Sequence, residues 1–322
     1  MRRPAPACLL LAILLTPLAL AAQDPSPPAL SPTPAPTPAP TPAAGAAEPS
    51  PLTALKEPVA FRPIEANVII NLPSVEVPSA GTLTLLVTHR FQAVVQDSNI
   101  DNFFSLDDGN TWGFGLWYAP IKNLNAGVYR SSDLKTYEAS AQYELPQICG
   151  FESALRFGED WRTDQDAASK KSFFAQGVLA YSFGKYARIS VVPTYVQRVI
   201  SPPISSNSPV PGDPSCVMDS GGQFSCSGLY EKVFNVPVAA SIAITHSIEI
   251  HGEVIPRLSK VHSNGVGWSV SVEKSLLRHR FAFWAGNQRQ TTVDRYVQAV
   301  PFYGSPKNVY IGFNLFRAWN FK

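Results

Sequence analysis

Twelve short runs in which apolar and polar residues alternate occupy the chain from about residue 60 onward, and no segment there has helical periodicity. They lie at about 82–95, 109–119, 125–131, 135–145, 151–158, 172–183, 187–199, 233–244, 248–257, 266–275, 280–287 and 308–321. The last, within NVYIGFNLFRAWNFK, shows the pattern most plainly. Val309, Ile311, Phe313, Leu315, Trp319 and Phe321 share one face, with Gly312, Asn314 and Asn320 on the other. An apolar strand with an open edge invites aggregation. The pattern is satisfied if every strand has two neighbours and the apolar face meets lipid.

The connections point the same way. Those at PIKNL, PQICG, GKY, THS and LLRH are short, and the alternate ones are longer, with the longest around Ile200–Glu231. Only the connection near Ser132–Asp133 breaks the alternation. Tight turns at one end, long loops at the other and an even strand count describe a transmembrane barrel. The expected fold is all-β, an antiparallel transmembrane barrel of about 12 strands over residues 60–322. An even number of crossings puts the N-terminal tether and Lys322 on the periplasmic side.

Two segments precede the barrel. Met1-Arg2-Arg3, the apolar run CLLLAILLTPLALAA and Ala19-Leu20-Ala21 predict a cleaved secretory signal peptide over 1–21. Residues 22–59 are rich in Pro, Ala and Thr, as in SPTPAPTPAPTPAAGAAEPSP, and predict a disordered linker of polyproline character. Such a segment could dock a periplasmic partner. Without the leader's two arginines the chain holds 24 Lys+Arg and 24 Asp+Glu, which excludes the basic face of a nucleic-acid binder. Export implies an oxidising compartment, so Cys216 and Cys226, flanking VMDSGGQFS, are expected to form a disulfide in the longest loop. Cys149 is left over as a free or buried thiol. The cysteine spacing fits no zinc site.

Taking the more apolar face of each run as the lipid face puts the charged residues of the wall in the lumen. They are Arg90, Arg130, Glu138, Glu144, Glu152, Arg156, Arg188, Arg198, Glu249, Glu253, Arg257, Glu273 and Arg280, joined by His251. Arg317 falls outward, near enough to a strand end to snorkel. Trp112, Tyr118, Trp319 and Phe321 are expected in the aromatic girdles, in contact with outer-membrane lipid.

The stretch INLPSVEVPSAGTLTLLVTHRF, followed by NFFSLDDGNTWGFGLWYAPIKNLNAGVYRSSDLKTYEASAQYEL, resembles the opening of a bacterial family of unknown function. Its members are predicted outer-membrane β-barrels. The shared features are His89-Arg90-Phe91, the loop Phe104-x-Leu106-Asp107, and Arg130-Ser131-Ser132 before Lys135-Thr136-Tyr137. The likeness runs from about 65 to 320 and is strongest before 145. It implies the architecture and the bacterial outer membrane, and it carries over no activity. The aromatic-rich last strand also resembles the C-terminal assembly signal of such barrels, although Lys322 follows Phe321.

Catalytic motifs are sparse. His89, His246, His251, His262 and His279 are scattered, and no Gly-x-Ser-x-Gly segment supports a hydrolase. DDGN at Asp107–Asn110 is too short for a calcium loop and suits a turn. Glu249-x-His251-x-Glu253 is the densest polar set, but same-face neighbours on one strand stand about 7 Å apart. That spacing suits a charge ladder better than one coordination sphere, so no metal, cofactor or catalytic residue is expected. The function expected is a narrow or gated channel for small polar solutes, its lumen constricted by paired charges and weakly ion-selective. The alternatives are a barrel that anchors a periplasmic or surface complex, and a lipid-active enzyme.

Overall fold

In the computed structural model, twelve strands form one antiparallel sheet that closes on itself. The residues described are 67–98, 109–163, 171–200, 216–218, 224–226, 230–257, 263–301 and 305–321, with side chains for all but 198–200, 216–218, 224–226, 230–231, 263–264 and 301. The leader and the Pro-rich segment lie outside them. The strands are β1 (Thr82–Phe91), β2 (Asn110–Ile121), β3 (Leu124–Ser131), β4 (Thr136–Ile148), β5 (Phe151–Arg162) and β6 (Lys171–Phe183). There follow β7 (Ala187–Val191, resumed at Thr194–Ile200) and β8 (Tyr230–Asn235, resumed at Val238–Thr245). The circuit ends with β9 (Ile248–Ile255), β10 (Gly267–Leu276), β11 (His279–Gly286) and β12 (Tyr310–Asn320).

Each strand pairs with its neighbours in sequence, and β12 returns to β1, with Thr82 opposite Asn320 and Arg90 opposite Gly312. No edge remains among these strands. β7 and β8 are interrupted at Pro193 and Pro237, which have no N–H for the ladder. The carbonyls there still accept, Pro193 from Gly177 N at 2.9 Å and Pro237 from Val192 N at 2.8 Å.

The outer face is apolar. Phe114, Val128, Phe157, Ile242, Val272, Phe283 and Phe313 are all exposed on it. Charges on this face sit near strand ends, as in Lys171, Glu159 and Arg317. A Lys or Arg would cost about 2–4 kcal/mol at the bilayer midplane and about 0–1 near the interfaces. The strand ends are therefore the tolerated places. Glycines let the wall pack tightly: a Cβ on Gly127 would stand 2.1 Å from the Leu116 carbonyl oxygen and 2.6 Å from Trp117 Cα.

Cys149 is disulfide-bonded, not a free thiol, and its partner's side chain lies outside the described residues. It sits exposed in the β4–β5 turn at φ 54°, where an oxidant can reach it. Cys216 and Cys226 are opposed as Cα partners in a two-stranded ribbon, Cys216–Met218 against Phe224–Cys226. Their side chains are outside the described residues.

Candidate functional site

The lumen is filled by two segments that are not part of the wall. Residues 67–74 fold into a tight hairpin, with Ser74 N donating to the Asn67 carbonyl at 3.1 Å and Ile69 N to that of Leu72 at 2.8 Å. The run NVIINL is apolar yet has no sheet partner, so it must be buried elsewhere. Val68, Ile69, Ile70 and Leu72 are all buried. The second insert is the β11–β12 connection from Asn287, with a one-turn helix α1 (Val293–Tyr296). Val293, Tyr296, Val297 and Ala299 join Ile70 and Leu72 in one apolar cluster inside the barrel.

Polar wall residues hold both inserts. The hairpin tip turns three successive amides toward Glu253. Ile70 N and Leu72 N donate to Oε1 at 2.8 and 2.9 Å, and Asn71 N to Oε1 at 3.0 Å and Oε2 at 3.1 Å. Arg90, fully buried, donates to Asn71 Oδ1 at 3.2 Å and Asn314 Oδ1 at 2.7 Å, and its guanidinium lies 4.4 Å from the Trp284 ring centre. Asn314 Nδ2 in turn donates to the Ile70 carbonyl at 3.0 Å. Lower on the segment, Glu76 pairs with Arg188. Burial pushes the Glu76 carboxyl up to about 7, with Arg188 pulling it down.

The connection is pinned by Asp294, which pairs with Arg162 and accepts from Thr292 Oγ1 at 2.8 Å. Gln176 Nε2 donates to Tyr296 Oη at 2.9 Å, and Asn235 Nδ2 to the Val297 carbonyl at 2.8 Å. Between the inserts a cavity of about 20 Å³ remains, lined by Ile70, Tyr129, Glu138, Arg156, Thr291 and Tyr296 among others. That is room for about one water.

Most of the sequence-derived candidates point inward, and their charges pair across strands. Arg156 bonds Glu138, Arg280 bonds Glu273, and Arg188 reaches Glu152 at 3.1 Å as well as Glu76. Glu144 accepts from Val77 N at 3.2 Å. Two residues lie elsewhere. Arg130 is on the outer face, stacked on Trp112 and Tyr137 at 5.9 and 4.8 Å. The inward face of β3 is Asn125, Gly127, Tyr129 and Ser131, because Tyr129 Oη bonds Thr88 Oγ1 at 2.6 Å inside. Arg257 is exposed, beyond the end of β9 at Ile255 and after Pro256. Arg198 has its side chain outside the described residues. Trp112, Tyr118 and Phe321 are exposed on the outer face and Trp319 is half-buried there, with the Arg317 guanidinium 4.9 Å from its ring centre.

The Glu249, His251 and Glu253 set divides. Glu253 serves the hairpin, while Glu249 and His251 meet Glu273 of the neighbouring strand. His251 Nδ1 lies 2.8 Å from Ser241 Oγ, a pairing that sequence distance gave no reason to select. Asp160, Arg162 and Asp294 were not singled out from sequence either.

The closed barrel with an apolar outer belt defines a membrane-spanning β-barrel of the outer-membrane class. Residues 65–319 match the family described as "Membrane bound beta barrel domain (DUF5777)", and the chain belongs to that family. It is a protein of the bacterial outer membrane. Among solved structures it is similar to the NanC porin, at 6% identity and TM-score 0.43, covering 73% of this chain and 98% of that one. It is also similar to the COG4313 outer membrane channel from Pseudomonas putida F1, at 10% identity and TM-score 0.43, covering 76% and 97%. A third is outer membrane phospholipase A from Escherichia coli, at 8% identity and TM-score 0.38, covering 73% and 89%. A search of the curated proteins finds no match.

Proposed function

We propose that this barrel is a gated, narrow channel for small polar solutes, held shut by the 67–77 segment and the 287–300 connection. The observation that carries the reading is the chemistry of the seal. The hairpin tip is held by a carboxylate, a guanidinium and an amide rather than by an apolar joint alone. Water can replace each of those bonds, so an expelled hairpin leaves a wall that hydrates at small net cost. Twelve strands enclose less space than the 16–18 strands of open porins, so an open lumen passes only small solutes. Lumen charges of both signs give weak selection between anions and cations.

In this reading the short turns face the periplasm, and residues 67–77 enter from that side. The reading is non-enzymatic. Ser241 and His251 meet in the lumen, but both are buried, and the carboxylates near His251 Nε2 stand 3.7 and 3.8 Å away. That is too far for the hydrogen bond that orients a catalytic base. The second reading, a silent barrel anchoring a periplasmic complex through the Pro-rich segment, is favoured by the close seating of the two inserts, with a cavity of about 20 Å³ between them.

Liposome swelling separates the two. Vesicles carrying Glu253→Ala should swell in small polyols and amino acids but not in trisaccharides, and wild-type vesicles much more slowly. No swelling from a folded variant would favour the anchor.

A further inference from the structure

Glu249 on β9 and Glu273 on β10 are direct cross-strand partners, and His251 faces Ser271 one step along. Like charges placed directly opposite each other destabilise a sheet. Arg280 answers only part of this: it bonds Glu273 Oε1 and leaves Oε2 directed at the imidazole. His251 Nε2 stands 3.7 Å from Glu273 Oε2 and 3.8 Å from Glu249 Oε2, and all three atoms lie within 4.8 Å of one another. The His251 side chain is 0% exposed. Its Nε2 and Glu249 Oε2 are buried without a hydrogen-bond partner.

Neither tautomer satisfies this arrangement. With the proton on Nε2, no acceptor is within hydrogen-bond reach. With the proton on Nδ1, donated to Ser241 Oγ at 2.8 Å, Nε2 turns a lone pair toward two carboxylate oxygens. Three acceptors then converge with nothing between them. A buried acceptor left unpaired costs about 1–3 kcal/mol, more when it is charged.

We propose that Glu249, His251 and Glu273 form a binding site for a divalent transition-metal ion of the Zn²⁺ type. One nitrogen and two carboxylate oxygens suit zinc, bound at about 2.0–2.2 Å. Tetrahedral geometry at those lengths sets neighbouring ligand atoms about 3.3–3.6 Å apart. The two separations to Nε2, 3.7 and 3.8 Å, need to close by a few tenths of an ångström, and the two carboxylate oxygens, within 4.8 Å of each other, by up to about 1.5 Å. Ser241 fixes the imidazole so that Nε2 faces the ion, and Arg280 orients Glu273 through its other oxygen, the supporting shell that metal ligands require. The fourth position is left to water or a solute group; Glu249, its side chain 12% exposed, is the most accessible of the three and lies next to the β8–β9 turn.

The test is Zn²⁺ titration of the refolded, chelator-treated full chain in detergent, against a competing chromophoric chelator. Wild type should take up one Zn²⁺ per chain with micromolar or tighter affinity. His251→Gln and Glu249→Gln should each weaken it at least about tenfold, while Glu152→Gln binds like wild type. Heat-dependent gel mobility checks that the variants are folded. X-ray absorption on Zn²⁺-loaded wild type needs no variant, and it should show a single imidazole with oxygen ligands. Failure of wild type to bind, uptake that His251→Gln leaves unchanged, or a shell of sulfur or several imidazoles would each overturn the assignment.

Discussion

Replacing Glu253 with alanine removes the acceptor for three amides at the hairpin tip, at distances of 2.8–3.1 Å. A hydrogen bond to a charged acceptor contributes about 1.5–3 kcal/mol. The three share two oxygens, and water will enter the space the carboxylate leaves, so they do not add. About 3 kcal/mol is the working figure, and the bond from Asn314 to the Ile70 carbonyl survives the change. At about 1.4 kcal/mol per factor of ten, hairpin release becomes roughly 100–200 times more frequent. Hydrogen exchange reads this at Ile69 and Ser74, whose acceptors, the Leu72 and Asn67 carbonyls, are untouched by the substitution. Their protection should fall by that factor while the amides of the barrel strands keep theirs. Unchanged protection at 69 and 74 in a folded variant would refute the claim that Glu253 latches the hairpin.

Arg162→Ala leaves Asp294 buried without its guanidinium, a loss of about 3–5 kcal/mol at a buried pair. Proteinase K should then cut within 287–300 at a dose that leaves wild type intact. Gly127→Ala drives a Cβ into the neighbouring backbone and should cost about 1–3 kcal/mol, lowering the urea midpoint. Gly252→Ala, with nothing within 4 Å of its Cβ, should match wild type. The Glu76 carboxyl, raised to about 7 from 4.5, binds its proton more tightly when docked. Docking of 75–77 is therefore fully supported below pH 4.5 and weakens as pH rises through about 7. Exchange at Val77, corrected for intrinsic rate, should be faster at pH 8 than at pH 5, and the opposite trend would mean that the Arg188 pair dominates.

The wall was legible because a barrel writes its period into every strand. The lipid faces of β2, β4, β10 and β12 follow from alternation alone, as Phe114, Tyr137, Val270 and Phe313 show. β3 misled because its one charge was read as marking the lumen face. Ala126 and Val128, the more apolar set, share Arg130's face and meet lipid while Tyr129 turns inward to Thr88, so placing Arg130 by its charge put it on the wrong side. The plug was hidden for another reason. Residues 67–77 and 287–300 carry no alternation, and their burial depends on contacts about 180 residues apart, such as Ile70 with Glu253. A signal was present in NVIINL, an apolar run outside any strand of the wall. The Glu249, His251 and Glu273 cluster crosses between strands, and counting along one strand could not assemble it.

Single-channel recording of the refolded full chain beside one lacking residues 67–77 tests the plugged lumen most directly. The full chain should stay closed, with rare brief openings. The deleted chain should show a long-lived open level well below that of porins with 16–18 strands. A steady current through the full chain, or silence from a folded deletion variant, would contradict the account.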